Sequence, residues 1–102
     1  MANLDVFSAL SDPTRREVFE IVARNPSAVS SIAARLPVSR PAVSQHLKIL
    51  SDAGLVTVRA EGTRRIYAAR PEKLDELRRW LDAMWDDALE AFAKAAEKEN
   101  TP

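Results

Sequence analysis

The stretch SRPAVSQHLKILSDAG (residues 39–54) decides the fold, because its apolar and polar residues separate onto two faces of a helix. This pattern predicts a helix from about Arg40 to Asp52. Gly54 follows just past its end, where a residue in the left-handed conformation often terminates a helix. The apolar positions recur at the i, i+4, i+7 spacing of a core-facing stripe: Val43, Leu47 and Leu50.

A second, shorter helix precedes this one along the chain. Its apolar side is formed by Val29, Ile32, Ala33 and Leu36. We expect Ser27 or Ser30 to cap its first turn, since a serine oxygen can accept a free backbone N–H there. The segment between the two helices, Pro37-Val38-Ser39, is long enough only for a tight turn. Two helices joined in this way predict a helix-turn-helix at residues 28–52.

After Gly54 the spacing of apolar residues changes from helical to alternating. The runs LVTVR (55–59) and RRIYA (64–68) lie on either side of AEGT (60–63), which carries a glycine suited to a turn. We therefore predict a two-stranded hairpin, or wing, at residues 55–69. A long amphipathic helix follows from about Glu72 to Glu97.

Two helices are predicted before residue 28. Leu4, Phe7 and Leu10 mark a short amphipathic helix within residues 1–10. The next helix begins with Asp12 as the expected N-cap and Pro13 at the first helical position, where its missing N–H costs nothing. Residues 1–102 thus form one domain that is mainly α with a small β-hairpin (α+β), a winged helix-turn-helix of five helices and a two-stranded wing.

The composition excludes several classes of function. Without cysteine there are no disulfides, thiolate metal sites or cysteine nucleophiles, and His46 is the single histidine. We therefore expect no metal site and no cofactor. Two glycines cannot build a Gly-rich phosphate loop, and no nucleophile is paired with a base, so we do not expect an enzyme. No signal peptide or membrane-length apolar run is visible, which favours a cytoplasmic protein without a membrane partner.

The net charge of zero conceals a polarised chain. Residues 39–70 contain six Lys or Arg residues and two acids, whereas residues 71–102 contain five and nine. The basic block coincides with the second helix of the helix-turn-helix and the wing, so these elements form a candidate surface for a polyanion. The acidic tail would keep the other side of the molecule away from phosphates.

The residues opposite the core stripe suit contact with double-stranded DNA. A recognition helix presents its N-terminal residues to the major groove, where Arg40 can bond a guanine edge and Gln45 an adenine edge. Ser39, Ser44 and Lys48 suit phosphate contacts. The predicted DNA-binding residues are Ser39, Arg40, Pro41, Ala42, Ser44, Gln45, His46, Lys48, Arg59, Thr63, Arg64 and Arg65.

Each part of this surface also has a plainer interpretation. The polar side of the helix resembles any solvated helix face, and the arginines of the hairpin could protect an edge strand from aggregation. His46 could contact a phosphate or groove, or could be a half-buried helix residue. The combination of helix-turn-helix and cationic wing favours DNA binding over these alternatives.

The last helix carries more apolar surface than one small core can cover. We predict that it packs against a second copy of the chain, with the first helix alongside, so that residues 1–10 and 72–97 make a homodimer. The alternative is a monomer whose last helix wraps the domain. Two-fold symmetry would require an inverted-repeat operator with half-site centres about 10 bp apart. The predicted interface residues are Leu4, Phe7, Leu77, Leu81, Met84, Trp85, Ala88 and Phe92.

The stretches ALSDPTRREVFEIV, SSIAARLPVSRPAVSQHLKILSDAGLV and RRIYAARP resemble the ArsR (SmtB-type) family of bacterial winged-helix repressors. The resemblance runs from about Leu4 to Trp85. It implies a homodimer that occupies an operator near its own promoter and leaves when an effector binds; any small-molecule effector stays unidentified. It also implies that the wing and the positions of Ser39, Arg40, Ser44, Gln45 and His46 lie at the DNA surface.

The resemblance departs from the metal-sensing members of the family. The cysteines of one subgroup would fall at residues 29–34, which read VSSIAA, and the last helix lacks the histidines that another subgroup uses. This indicates a subgroup that does not sense metals. The alternative function is a winged-helix module for protein–protein contact without DNA affinity.

Overall fold

The computed structural model describes the backbone of residues 2–99 and the side chains of residues 5–99. Within this range it confirms the predicted winged helix-turn-helix, with five helices and a hairpin. The predicted interface position Leu4 lies outside the described side chains. In chain order the elements are α1 (Ala2–Ser11), α2 (Pro13–Arg24), β1 (Ser27–Ala28), α3 (Val29–Ala33), α4 (Arg40–Asp52), β2 (Val56–Glu61), β3 (Arg64–Ala69) and α5 (Pro71–Glu99).

The sheet has three antiparallel strands in the order β1-β3-β2, one more than the predicted two-stranded wing. The two-residue β1 pairs with the middle of β3, which anchors the wing to the segment before α3. Glu61 pairs with Arg64, so the turn between β2 and β3 is Gly62-Thr63 and not the expected four residues. Gly62 has a φ of +64° at the first turn position, as a type II′ hairpin requires.

Side-chain caps fix the starts of α2 and α4. The Asp12 carboxylate accepts the backbone N–H of Arg15 at 2.8 Å, and Pro13 opens α2 as predicted. Ser39 caps α4 by accepting the N–H of Ala42 at 3.3 Å. These bonds satisfy donors that the first turn leaves free, so they define where each helix begins.

The predicted serine cap of α3 is wrong. The N-cap is Ala28, which makes no side-chain bond. Ser27 is drawn into β1, and its hydroxyl donates to the carbonyl oxygen of Asn25 at 2.7 Å. The helix also ends at Ala33, so residues 34–39 connect it to α4.

A continuous apolar core joins the four N-terminal helices to the wing. The α4 stripe is fully buried, as predicted, and each such aliphatic side chain contributes about 1.5–3 kcal/mol on leaving water. In α1 the buried residues are Val6 and Ala9, whereas Phe7 stays partly exposed. The largest fully buried side chains are Val6, Val18, Val22, Ile32, Val43, Leu47, Leu50 and Leu55.

The last helix projects away from this core. Only its first turns pack against the core, through Leu74 and Leu77, and none of its residues is buried. A helix of 29 residues is about 43 Å long at 1.5 Å per residue, which accounts for a molecule of 71 × 26 × 23 Å. None of the helices between residues 2 and 99 is long and apolar enough to cross a membrane.

Candidate nucleic-acid interface

Burial of the apolar stripe leaves the opposite face of α4 open to solvent. Of the residues predicted to contact DNA on this helix and its N-cap, Ala42 and His46 are half-buried and the others are exposed. The exposed positions are Ser39, Arg40, Pro41, Ser44, Gln45 and Lys48. The core therefore holds this set on one rigid helix, facing outward.

The N-terminal end of α4 favours a negatively charged group. Its first turn contains no acidic residue, and the free backbone N–H groups there carry partial positive charge. Arg40 adds a full charge at the same end. The Ser39 oxygen is occupied as the cap acceptor, but its O–H can still donate to an incoming acceptor.

The wing tip lies next to this helix end. Arg40 of α4 and Thr63, Arg64 and Arg65 of the wing line one open hollow of about 240 Å³, which we call the front hollow. Ser30, at the start of α3, lies in the same wall. The structure thus brings together predicted residues more than twenty positions apart, and adds Ser30, which the sequence suggests only as a helix cap.

Most cations of this surface carry no partner. Within residues 2–99, the side chains of Arg40, Lys48, Arg64 and Arg65 make no hydrogen bond or ion pair. Arg59 differs, because its Nη2 lies 3.3 Å from Oε2 of Glu61. Both side chains of that pair are largely exposed, so it contributes little. The unpaired cations can meet an anion without first breaking a bond inside the protein.

His46 is half-buried on α4. Its Nδ1 is shielded from solvent and has no hydrogen-bond partner among the described residues. The pKa of Asp12 is lowered, mainly because its carboxylate accepts the backbone N–H of Arg15; desolvation opposes this shift, and the charge of Arg15 adds to it. His46 is thus a half-buried helix residue, and a phosphate or groove contact by it stays a prediction.

The apolar residues predicted for a dimer form an exposed stripe along α5. Leu77 and Leu81 are half-buried, while Met84, Trp85, Ala88 and Phe92 are exposed, with Trp85 at 62% and Phe92 at 74%.

Two further apolar residues of α5 belong to the same surface. Leu89 is exposed beside Trp85 and Phe92 on the helix. The ring of Trp80 lies edge-on to the ring of Phe7, with centroids 5.2 Å apart, which ties α1 to α5. Within residues 2–99, no three His, Cys, Asp or Glu side chains converge on a point where a metal ion could bind.

Comparison with known proteins gives consistent results across sequence and structure. A family model described as a helix-turn-helix domain matches residues 10–59. The chain is 50% identical over 93 residues to the HTH-type transcriptional regulator Rv2034 of Mycobacterium tuberculosis, covering 91% of this chain and 87% of that protein. It is 30% identical over 77 residues to the transcriptional repressor SdpR of Bacillus subtilis, covering 76% and 86% of the two chains.

Solved structures agree. An ArsR-like transcriptional regulator from Rhodococcus sp. RHA1 superposes with a TM-score of 0.79 at 39% identity, covering 93% of this chain and 92% of that one. A winged helix-turn-helix DNA-binding domain from Mycobacterium bovis, described as homodimeric, superposes with a TM-score of 0.69 at 29% identity, covering 88% and 83%.

Proposed function

The chain belongs to the ArsR family of winged helix-turn-helix transcriptional regulators, and from this premise we propose that it represses transcription by binding an operator in double-stranded DNA as a homodimer. In this proposal the helix-turn-helix (residues 28–52) and the wing (residues 55–69) contact DNA. The helices at residues 1–10 and 72–97 contact the second copy. The protein acts in the cytoplasm, beside its operator.

The observation that carries the DNA proposal is the front hollow. Unpaired guanidinium groups from two separate elements, Arg40 on α4 and Arg64 and Arg65 on the wing, surround one open space. An α-helix with its side chains is about 10–12 Å across, which matches the major groove of B-DNA. With α4 in the groove, the wing meets the adjacent backbone. Arg40 and Gln45 then read base edges, and Ser39, Ser44 and Lys48 contact phosphates.

The dimer proposal is supported by the apolar stripe of α5. Contiguous apolar patches on soluble monomers are small, and larger ones mark interaction sites. The Mycobacterium bovis domain with the same fold is homodimeric by its description, which makes a second copy the favoured partner. Two copies related by a two-fold axis would place their α4 helices on an inverted repeat, with half-site centres about 10 bp apart.

A salt-titrated binding assay on an operator selected from random DNA tests this function. If Lys48, Arg64 and Arg65 of each protomer contact phosphates, the dimer neutralises about six, and log K should fall with log salt at a slope of about −5. A winged-helix module for protein contact, the alternative function, would select no sequence and show no such slope.

A further inference from the structure

A second hollow, which we call the side hollow, lies next to the front hollow and shares Arg64 with it. Its volume is about 470 Å³. Three arginines line it: Arg35 from the connection after α3, Arg59 from β2 and Arg64 from β3. Arg35 has no special spacing relative to α4 or the wing, so the sequence pattern gives no sign of its place in this hollow.

The strand register explains why the wing residues share this hollow. Glu61 is paired with Arg64, and Arg59 with Ile66. Because side chains alternate between the two faces of a sheet, these four residues project from the same face. All four line the side hollow, and Ser31 of α3 and Arg35 of the connection after it line the other side.

The side hollow contains more positive than negative charge. Within residues 2–99 the guanidinium groups of Arg35 and Arg64 have no partner, while Nη2 and Nε of Arg59 lie 3.3 and 3.4 Å from the Glu61 carboxylate. The side chains of these four residues are exposed. An open, cationic concavity of this kind suits a charged group on a large ligand better than an enclosed small molecule.

We propose that the side hollow binds a backbone phosphate of the DNA flanking each half-site, and that Glu61 competes with this phosphate for Arg59. The proposal rests on the proposed DNA-binding function. A phosphate and a carboxylate both accept paired hydrogen bonds from a guanidinium group. Because the exposed pair between Arg59 and Glu61 is weak, exchanging the carboxylate for a phosphate costs little. Arg64 borders both hollows and so links the flanking contact to the front hollow.

The test uses two duplexes that carry the same selected operator. One ends at the outer edges of the half-sites, and the other extends by about one helical turn, roughly 10 bp, on each side. Affinity is measured over a salt series for the full-length wild type, Arg35→Ala, Glu61→Gln and, as a matched control on α5, Arg78→Ala. Exposed positions were chosen so that each variant folds, which circular dichroism checks.

We expect the wild type and Arg78→Ala to bind the long duplex more tightly, with a salt slope steeper by about two, one phosphate per protomer. Arg35→Ala should lose most of this gain yet bind the short duplex as the wild type does. Glu61→Gln should bind the long duplex at least about threefold more tightly, since an opposing charge is removed.

A full length-dependent gain in Arg35→Ala would overturn the flanking contact. Unchanged or weaker binding of the long duplex by Glu61→Gln would overturn the competition by Glu61. If the wild type binds the operator but length and Arg35 have no effect, this inference alone fails. If the wild type binds neither duplex, the proposed function fails with it.

Discussion

The head of the molecule (residues 2–70) and the tail helix α5 differ in which side chains have partners within the protomer. In the head most large apolar residues are buried, apart from Phe7, Ile49 and Val58, while four cations around the front hollow and along α4 have no partner. In α5 the apolar stripe is exposed, while most cations are paired with acids one turn away. These pairs are Lys73–Glu76, Arg78–Asp75, Arg79–Asp75 and Lys94–Glu90.

This difference indicates two different partners. Unpaired positive charge is relieved by a polyanion, and exposed apolar surface by another apolar surface. Since the main unmet contact differs between the two regions, substitutions on α4 and on the wing should leave self-association largely intact.

The largest effect is expected at Trp85, near the middle of the apolar stripe. Trp85→Asp places a charge in the proposed dimer interface and removes a tryptophan, so self-association should weaken by at least about 100-fold. The protomer should keep its fold, because Trp85 is 62% exposed within it. Sedimentation at several protein concentrations measures the first effect, and circular dichroism the second.

Ala83→Asp is the matched control, because helical spacing places Ala83 on the opposite side of α5 from Trp85. It introduces the same charge two residues away and should leave association unchanged. Equal loss of association in both variants would show that the apolar stripe does not define the interface. It would also contradict the assignment of α5 to an apolar partner.

The next effect concerns base recognition by α4. Arg40→Ala or Gln45→Ala should cost about 1–3 kcal/mol in operator binding, roughly 5- to 150-fold, and relax the preference at one base pair per half-site. Both side chains are exposed, so stability should not change. Selection from random DNA measures the preference. A selected sequence identical to that of the wild type would refute the assignment of these two residues.

A smaller and less selective effect is expected at the wing. Replacing Arg64 and Arg65 together by alanine should lower affinity for all DNA sequences alike, because phosphate contacts carry no sequence information. For the dimer the salt slope should become shallower by about four. Operator and random duplexes are compared over the same salt series. A loss confined to the operator would mean that these arginines read bases.

In the head, α2 and α4 were predictable from local sequence patterns, as α5 was in the tail. The α4 stripe repeats at helical spacing between a clear start and a glycine, and Asp12-Pro13 marks the start of α2, so local patterns suffice for these elements. The hairpin was also predicted, but with a turn of residues 60–63 instead of Gly62-Thr63. Ala60 and Glu61 carry no sequence feature that distinguishes the end of a strand from a loop.

The parts that sequence could not predict depend on contacts distant in the chain. The two-residue β1 exists only because β3 lies beside it, and this pairing removes Ser27 from the role of cap. In the same way, Ser30 lines the front hollow and Arg35 lines the side hollow because α3 and the connection after it lie against the wing. Neither residue lies on a periodic pattern that would have selected it.

The smallest effect is expected when a paired charge of α5 is removed, in contrast to the unpaired charges of the head. Lys94 lies 3.4 Å from Glu90, one turn earlier on α5, and both side chains are largely exposed. Such a pair contributes about 0.3–0.5 kcal/mol, so Lys94→Ala should change the free energy of unfolding by no more than that. It should also leave operator affinity unchanged, because the tail lies away from DNA in the proposed complex. Denaturant unfolding and the salt-titrated assay measure the two quantities, and a clear fall in operator affinity would mean that α5 also contacts DNA.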